Sequence, residues 1–315
     1  MKVSVAMTTY NGAQYITAQL DSLRLQTRRI DELIIVDDCS TDDTVSIIET
    51  YINEWSLNNW NVFVTEENKG WIFNFYNAIS KTTGDIVFFC DQDDVWCTNK
   101  IQIMMDIMLK NKGIDVLSCR LKLIDNDGSI LQKNHERFPF DSNETYNIIR
   151  NAFDNSFLYT ICPGCTMAIR KKCIEKYNHY INEKGIPHDA LYWKIGTLLG
   201  TAYVVDIALI NYRIHNENAS NPIVDRAYSV KKRRVRLNEN ELLRQQLLII
   251  KEIYEESEEY SKKRMHVLNS MRDFLDKRED FIKKKIRIIP YVLVAGRFYR
   301  NIKMFLGDIL SRYAD

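Results

Sequence analysis

The chain has 315 residues, 45% of them hydrophobic, enough for a sizeable core in one large domain or in a domain with an appendage. Its net charge of +1 is unevenly spread: residues 1–225 hold 21 Lys and Arg against 29 Asp and Glu, and residues 226–315 hold 22 against 13. The lack of any run of about 18 uninterrupted apolar residues argues against a spanning helix, and seven Cys with no apolar leader after Met1 point to a reduced, cytoplasmic setting.

Val3 to Met7 is a short apolar run, read as a first strand, and Thr8-Thr9-Tyr10-Asn11-Gly12 is the turn that ends it. Helical spacing follows at Ile16, Leu20 and Leu23. Leu33 to Val36 reads as a second strand, closed by Asp37-Asp38-Cys39-Ser40-Thr41-Asp42-Asp43-Thr44, where a Ser or Thr is expected to cap the next helix. Val62 to Val64 reads as a third strand. Glu67-Asn68-Lys69-Gly70 and a helix through Phe73, Tyr76 and Ile79 come next.

Ile86 to Cys90 reads as a buried fourth strand that stops at three carboxylates, Asp91, Asp93 and Asp94. Carboxylates at the end of an inner strand are costly unless something positive meets them. Asp91 and Asp93 are two apart and would share a face if the strand continued. Oxygen donors of this kind suit Mg²⁺ or Mn²⁺ shared with a substrate's phosphates. As a plain turn, the same residues would serve only as turn formers. A helix from Ile101 to Leu109 follows.

Strand, turn and helix repeated from the first residue predict an α/β fold with a mostly parallel, doubly wound sheet and helices on both faces. Ligands bind beyond the carboxyl ends of such strands, where each polar turn falls. No Gly-x-Gly-x-x-Gly or Walker sequence occurs, which removes support for dinucleotide and P-loop sites.

The middle is less regular. Val116 to Ile124 reads as a strand and 129–157 as a connection. Thr160 to Arg170 reads as a turn entering a strand, and its Cys162 and Cys165, with Cys173 nearby, read as free thiols rather than a zinc or redox pair. His188-Asp189 opens an apolar helix to Leu199, where Asp189 would also serve as an N-terminal acid. Val204 to Ile210 reads as a bent strand or strand pair. From Asn221 the chain becomes basic and helical, with Lys231 to Arg236 and Lys283 to Arg287 as its densest runs. Amphipathic basic helices of this kind suit a membrane surface.

Together, Thr-Thr-Tyr-Asn-Gly, Val-Asp-Asp-Cys-Ser-Thr-Asp, Glu-Asn-Lys-Gly and Asp-Gln-Asp-Asp-Val-Trp, in this order and spacing, resemble family 2 glycosyltransferases of the GT-A fold over about residues 1–220. The last motif is most similar to the rhamnosyltransferase-like branch of bacterial capsule, O-antigen and cell-wall polysaccharide synthesis. The resemblance implies a catalytic domain at 1–220, with a nucleotide-sugar half (1–115) and an acceptor half (116–220), and a separate region at 221–315. It implies an inverting transfer from dTDP-rhamnose or a UDP-hexose to a hydroxyl of a growing, lipid-linked glycan.

By the same resemblance, Asp38 would accept from the base imide, with Thr8, Tyr10, Asn11, Asn68, Gly70, Asp91 and Gln92 also on the nucleotide sugar. Asp93 and His215 would hold Mn²⁺ or Mg²⁺. Asp189 would be the general base. Trp96, Gly164, Cys165, Thr166 and His188 would line the acceptor side. The sequence departs from the family where many members carry Ala-Arg-Asn, since Phe75-Tyr76-Asn77 stands nearest, and where an acidic residue commonly precedes the base, since His188 stands there. The basic region is expected to meet a membrane surface, with a homodimer as the other use of its helices, and no nucleic-acid partner is expected. Two rival readings are a haloacid-dehalogenase-type phosphatase, which needs its motif on the first strand, and a non-enzymatic nucleotide- or nucleic-acid-binding protein, which leaves the acidic cluster unexplained.

Overall fold

The computed structural model describes residues 1–131, 146–159, 162–215, 233–283, 291, 296–299 and 302–312. The chain divides into two compact units. One comprises Met1–Asn151, Cys162–Gly196 and Gly200–Asn221; the other comprises Ala152–Ile161, Thr197–Leu199 and Pro222–Asp315.

The first unit begins β1 (Val3–Thr9), α1 (Ile16–Arg24), β2 (Glu32–Asp37), α2 (Thr44–Glu54), β3 (Trp60–Val64), α3 (Trp71–Lys81) and β4 (Ile86–Cys90). It continues with β5 (Val95–Trp96), α4 (Lys100–Lys110), β6 (Val116–Ile124), β7 (Ile148–Arg150), β8 (Met167–Arg170), α5 (Lys171–Tyr177), α6 (His179–Lys184), α7 (His188–Leu199) and β9 (Ala202–Arg213). Every residue of β1 and β4 is buried, the pattern of inner strands covered on both faces. The strand order is β3-β2-β1-β4-β8-β6-β9-β5, with β7 beside β9.

Pairing is parallel from β3 to β4, while β8 runs antiparallel between β4 and β6. The chain steps outward from β1 to β2 and β3, then returns to the other side of β1 as β4. That reversal is a topological switch point, and it opens a crevice beyond the carboxyl ends of β1 and β4.

The expected bent strand at 204–210 is the middle of β9, whose register against β6 shifts at Arg120. Neither β5 nor β7 is legible in sequence. One is two residues long, and the other has three exposed residues in a weakly patterned stretch. The expected Ser or Thr cap of α2 is corrected: Asp43 holds that position without a side-chain cap bond. The Thr44 hydroxyl instead accepts from Gly12 N at 2.8 Å and donates to Asp42.

The second unit contains α8 (Arg233–Glu255), α9 (Lys262–Ile282) and α10 (Ile302–Ser311). Leu247, Ile250 and Tyr254 of α8 and Leu268, Met271 and Leu275 of α9 are buried at helical spacing. Asp308, fully buried, accepts from Arg278 Nε and Nη2 at 2.7 and 3.0 Å, from Arg236 Nη1 at 3.1 Å and from the Tyr299 hydroxyl at 2.7 Å. Arg236, read in sequence as part of a basic run, is spent on this buried cluster. Lys231, Lys232 and residues 284–290 lie outside the described residues. Among the described residues no helix is long and apolar enough to cross a membrane.

Candidate functional site

The carboxyl ends of β1, β2 and β4 open onto a cavity of about 440 Å³. Thr8 and Thr9 reach it from β1, Tyr10 and Asp38 from just beyond β1 and β2, Asn68 and Gly70 from the loop between β3 and α3, and Trp71 from the start of α3. Asp91, Gln92 and Asp93 reach it from the end of β4. Pro163 and Gly164 ahead of β8, His188 and Asp189 at the start of α7, and Tyr212 of β9 complete it with Asn74 and Phe75 of α3.

Of the two adjacent acids after β2, the fold makes different uses. Asp37 is fully buried and accepts from the Thr9 hydroxyl at 2.6 Å and from the Ser40 amide and hydroxyl at 2.7 and 2.6 Å. Asp38 lines the cavity, and its two oxygens accept from Lys69 N and Gly70 N, each at 2.9 Å. Asp38 therefore holds the loop that carries Asn68 and Gly70. Gly70 has φ 85, which a side chain would strain. Gln92 brackets Tyr10: its Oε1 accepts from Tyr10 N at 2.8 Å and its Nε2 donates to Tyr10 O at 2.9 Å. A Cβ at Gly12 would meet Gln92 Oε1 at 2.3 Å, so glycine there makes room for the bracket.

The strand stops at Cys90 and the chain bends, so Asp91 and Asp93 reach one cavity through a turn rather than along a continued strand. Asp93 Oδ2 lies 2.7 Å from His215 Nε2. Asp94 turns inward, fully buried; its Oδ1 accepts from Arg213 N at 3.1 Å and its Oδ2 has no hydrogen-bond partner. One ligand atom each from Asp91, Asp94 and Cys165 lie within 4.8 Å of one another. Burial, then the Asp93 charge, pushes the Asp91 carboxyl up to about 7, and the same causes raise Asp94 well above the usual range.

The positive counterpart of this cluster is Lys100, fully buried, with Nζ 3.4 Å from the Trp96 ring centroid and donating to Cys165 O at 2.5 Å. Arg213 secures the turn from the other side: Nε donates to Asp93 O at 2.8 Å, and Nη1 donates to Asp125 O and Asn126 O at 3.0 and 2.7 Å. The orphaned oxygen of Asp94 and the raised carboxyls of Asp91 and Asp94, which lie together with the Cys165 thiol, fit a divalent cation, with the Asp93–His215 pair beside them.

Asp189 faces the cavity, and its Oδ1 accepts from Ala190 N at 2.7 Å. Burial raises its carboxyl to about 6, opposed by the Ala190 amide and then by the nearby Lys194. Burial likewise lowers Lys194 to about 7. Burial lowers His188 to about 3, so the residue preceding Asp189 is neutral and adds no charge to it.

Five of the residues singled out in sequence do not line the cavity. Asn11 organises the turn: its Oδ1 accepts from Thr41 N at 2.8 Å, and its amide donates to the Ser40 hydroxyl at 2.8 Å. Trp96, placed on the acceptor side, is corrected to the core: it is 2% exposed, against Phe88 and Lys100, because β5 turns it inward. Cys165 is buried beside Asp91 and Asp94. Thr166 is buried, its hydroxyl donating to Pro163 O and lying 2.7 Å from the Ser118 hydroxyl. His215 stands behind Asp93. All seven cysteines are free thiols.

Lys100, Arg213, Trp71 and Asn74 carry no site motif in the sequence, and Asp94 is legible there only as the third acid of its run, with no role of its own. Lys100 carries a signal, a cation that opens the apolar helix α4; the others show no pattern without the fold. The acidic motif sits on β4, not on the first strand, which a phosphatase of the haloacid-dehalogenase type requires.

The pattern described as Glycosyl transferase family 2 matches residues 4–177. An uncharacterized glycosyltransferase of Nostoc sp. is 27% identical over 228 residues, covering 69% of this chain and 66% of its own length. The dTDP-rhamnosyl transferase RfbG of Shigella flexneri is 28% identical over 193 residues, covering 58% of this chain and 60% of its own. The chain thus spans less than two thirds of either relative. The crystal structure of Staphylococcus aureus TarS in complex with UDP-GlcNAc superposes with a TM-score of 0.58 at 19% identity, covering 95% of this chain and 80% of that one, which establishes a shared GT-A fold.

Proposed function

As the chain belongs to glycosyltransferase family 2, we propose that it is an inverting glycosyltransferase that moves a sugar from a nucleoside diphosphate to a glycan hydroxyl in bacterial polysaccharide synthesis. One observation carries the reading. Asp38, Asp91, Asp93 and Asp189, spread over 152 positions of sequence, line a single cavity at the sheet's switch point. Residues 1–220 are assigned as the catalytic domain, with the nucleotide sugar on 1–115 and the acceptor on 116–220.

In this reading the loop held by Asp38 and the Tyr10 segment bracketed by Gln92 seat the base and ribose. Asp91, Asp93 and Asp94, with His215 and Cys165 beside them, would hold Mn²⁺ or Mg²⁺. Such a cation, when bound, supplies positive charge against the departing diphosphate. Asp189 takes the proton of the acceptor hydroxyl. The hydroxyl oxygen bonds to the anomeric carbon as the carbon–oxygen bond to phosphate breaks on the opposite face, and configuration inverts. The basic region 221–315 is assigned to an anionic membrane surface, where a lipid-linked acceptor would be met. Co-flotation with anionic but not neutral vesicles tests that assignment.

The names of the relatives set the donors to try. Binding and hydrolysis of dTDP-rhamnose, UDP-glucose, UDP-galactose and UDP-N-acetylglucosamine, with and without Mn²⁺ or Mg²⁺, should give a metal-dependent response to one of them. Silence in binding as well as turnover would remove the reading.

The pH dependence follows from Asp189. Its carboxyl is raised, so it is protonated, and lost as a base, below about pH 6. We expect kcat/KM to rise about tenfold per pH unit up to about 6 and to level off above it. A profile flat down to pH 4.5 would mean that another group takes the proton.

A further inference from the structure

We propose that the His188 imidazole is the hydrogen-bonding seat for a hydroxyl of an uncharged sugar. His188 is 3% exposed and lines the cavity, yet neither Nδ1 nor Nε2 has a hydrogen-bond partner. Buried polar atoms are rarely left unpaired in folded proteins. A second orphan lies on the same cavity: Asn74, 1% exposed, donates Nδ2 to Val36 O at 2.8 Å but leaves Oδ1 without a partner. Two unsatisfied groups on one cavity are accounted for by a ligand that brings hydrogen bonds.

The surroundings specify what kind of ligand. The His188 ring lies 3.8 Å from the Phe75 ring centroid, with Phe89 at 5.0 Å and Trp71 at 6.1 Å. Gly164 lets the imidazole approach, since a Cβ there would lie 2.2 Å from Nε2. An apolar, aromatic setting with few polar groups suits the carbon face of a sugar ring. A neutral imidazole offers one donor and one acceptor that point apart, and a sugar hydroxyl, able to donate or accept, suits either of them. Burial keeps this imidazole neutral, so it gives a carboxylate no cation to meet, and uronates are disfavoured. The hydroxyl belongs to the donor sugar or to the acceptor glycan.

The inference rests on the sugar-transfer reading above, and one experiment separates the two. Dissociation constants of UDP, dTDP, dTDP-rhamnose, UDP-glucose, UDP-N-acetylglucosamine and UDP-glucuronate are measured on the full chain and on His188→Phe and His188→Gln, together with acceptor KM. Phe fills the aromatic site without a hydrogen bond; Gln keeps a donor and an acceptor. For a donor hydroxyl, His188→Phe should lose about ten- to a hundredfold in affinity for the sugar nucleotide, with the bare nucleotide unchanged and Gln recovering part. For an acceptor hydroxyl, donor affinity is kept and acceptor KM rises by the same factor. Imidazole ¹⁵N shifts of the wild type should move with that sugar ligand and not with UDP, a readout that needs no variant. His188→Phe indistinguishable from a wild type that turns over, unmoved ¹⁵N shifts, or UDP-glucuronate bound more tightly than every neutral sugar nucleotide, would overturn the seat alone. A wild type that binds no nucleotide overturns the transferase reading and the seat with it.

Discussion

Replacing Asp189 with Asn should lower kcat by about 10²- to 10⁴-fold, the range that a general base contributes, and leave nucleotide-sugar affinity unchanged. Asn has the shape of Asp and can still accept from Ala190 N through Oδ1, the bond that orients the native carboxylate. What it cannot do is take a proton. The burial that raises Asp189 to about 6 makes it a better proton acceptor than an exposed carboxylate while leaving it ionised at neutral pH. A contrast sharpens the test. In the proposed reading Asp93, 2.7 Å from His215, holds the cation, so Asp93→Ala should weaken metal-dependent donor binding. Steady-state kinetics with calorimetric donor titration separates the two. Full turnover by Asp189→Asn would refute the base assignment, and equal donor binding by Asp93→Ala would take that carboxylate out of the cation site.

Replacing Asp308 with Ala should destabilise the helical unit by about 3–5 kcal/mol, the cost of removing one partner from a buried ion cluster. Arg278 and Asp308 are both fully buried, and Arg236 is 2% exposed. Burial opposes the charge on Arg278, but the Asp308 charge and hydrogen bonds outweigh it and raise the Arg278 pKa well above its ordinary value, so that guanidinium stays charged. Without Asp308 two cations would remain with no anion paired to them among the described residues. Asn240 Oδ1, which accepts from Arg278 Nη1 at 3.2 Å, carries no charge to replace it. Denaturant unfolding followed by far-UV ellipticity measures the effect. All five tryptophans (55, 60, 71, 96 and 193) belong to the first unit, so their fluorescence reads that unit separately. A loss below about 1 kcal/mol would mean that water reaches the cluster and screens it.

Much of the first unit is legible from local pattern. Apolar runs such as Val3–Met7 and Ile86–Cys90 are too short for helices and too continuous for half-exposed strands, so they located the inner strands. The turn residues that follow fall at the carboxyl edge of a parallel sheet, which puts Thr8, Tyr10, Asp38, Asn68, Gly70, Asp91 and Asp93 along one edge; the structure gathers them on one cavity. Motif order supplied Gly164, His188 and Asp189, which no periodicity could have joined to the rest.

What the tertiary structure alone decided is how equivalent-looking residues are used. Asp37 and Asp38 are adjacent carboxylates, yet backbone alternation sends one into hydrogen bonds with Thr9 and Ser40 and the other to the cavity. Asp91, Asp93 and Asp94 form one acidic run, yet the bend after Cys90 aims the first two at the cavity and buries the third over Lys100 and Arg213. Trp96 reads as part of the motif but serves the core. Sequence order determined the fold class and the edge at which ligands bind, because apolar runs and turn residues act locally. The division of acids into cavity-lining and buried, the neutral His188 and the buried Arg236–Arg278–Asp308 cluster depend on burial and on partners up to 122 residues away, which exist only once the chain has closed on itself.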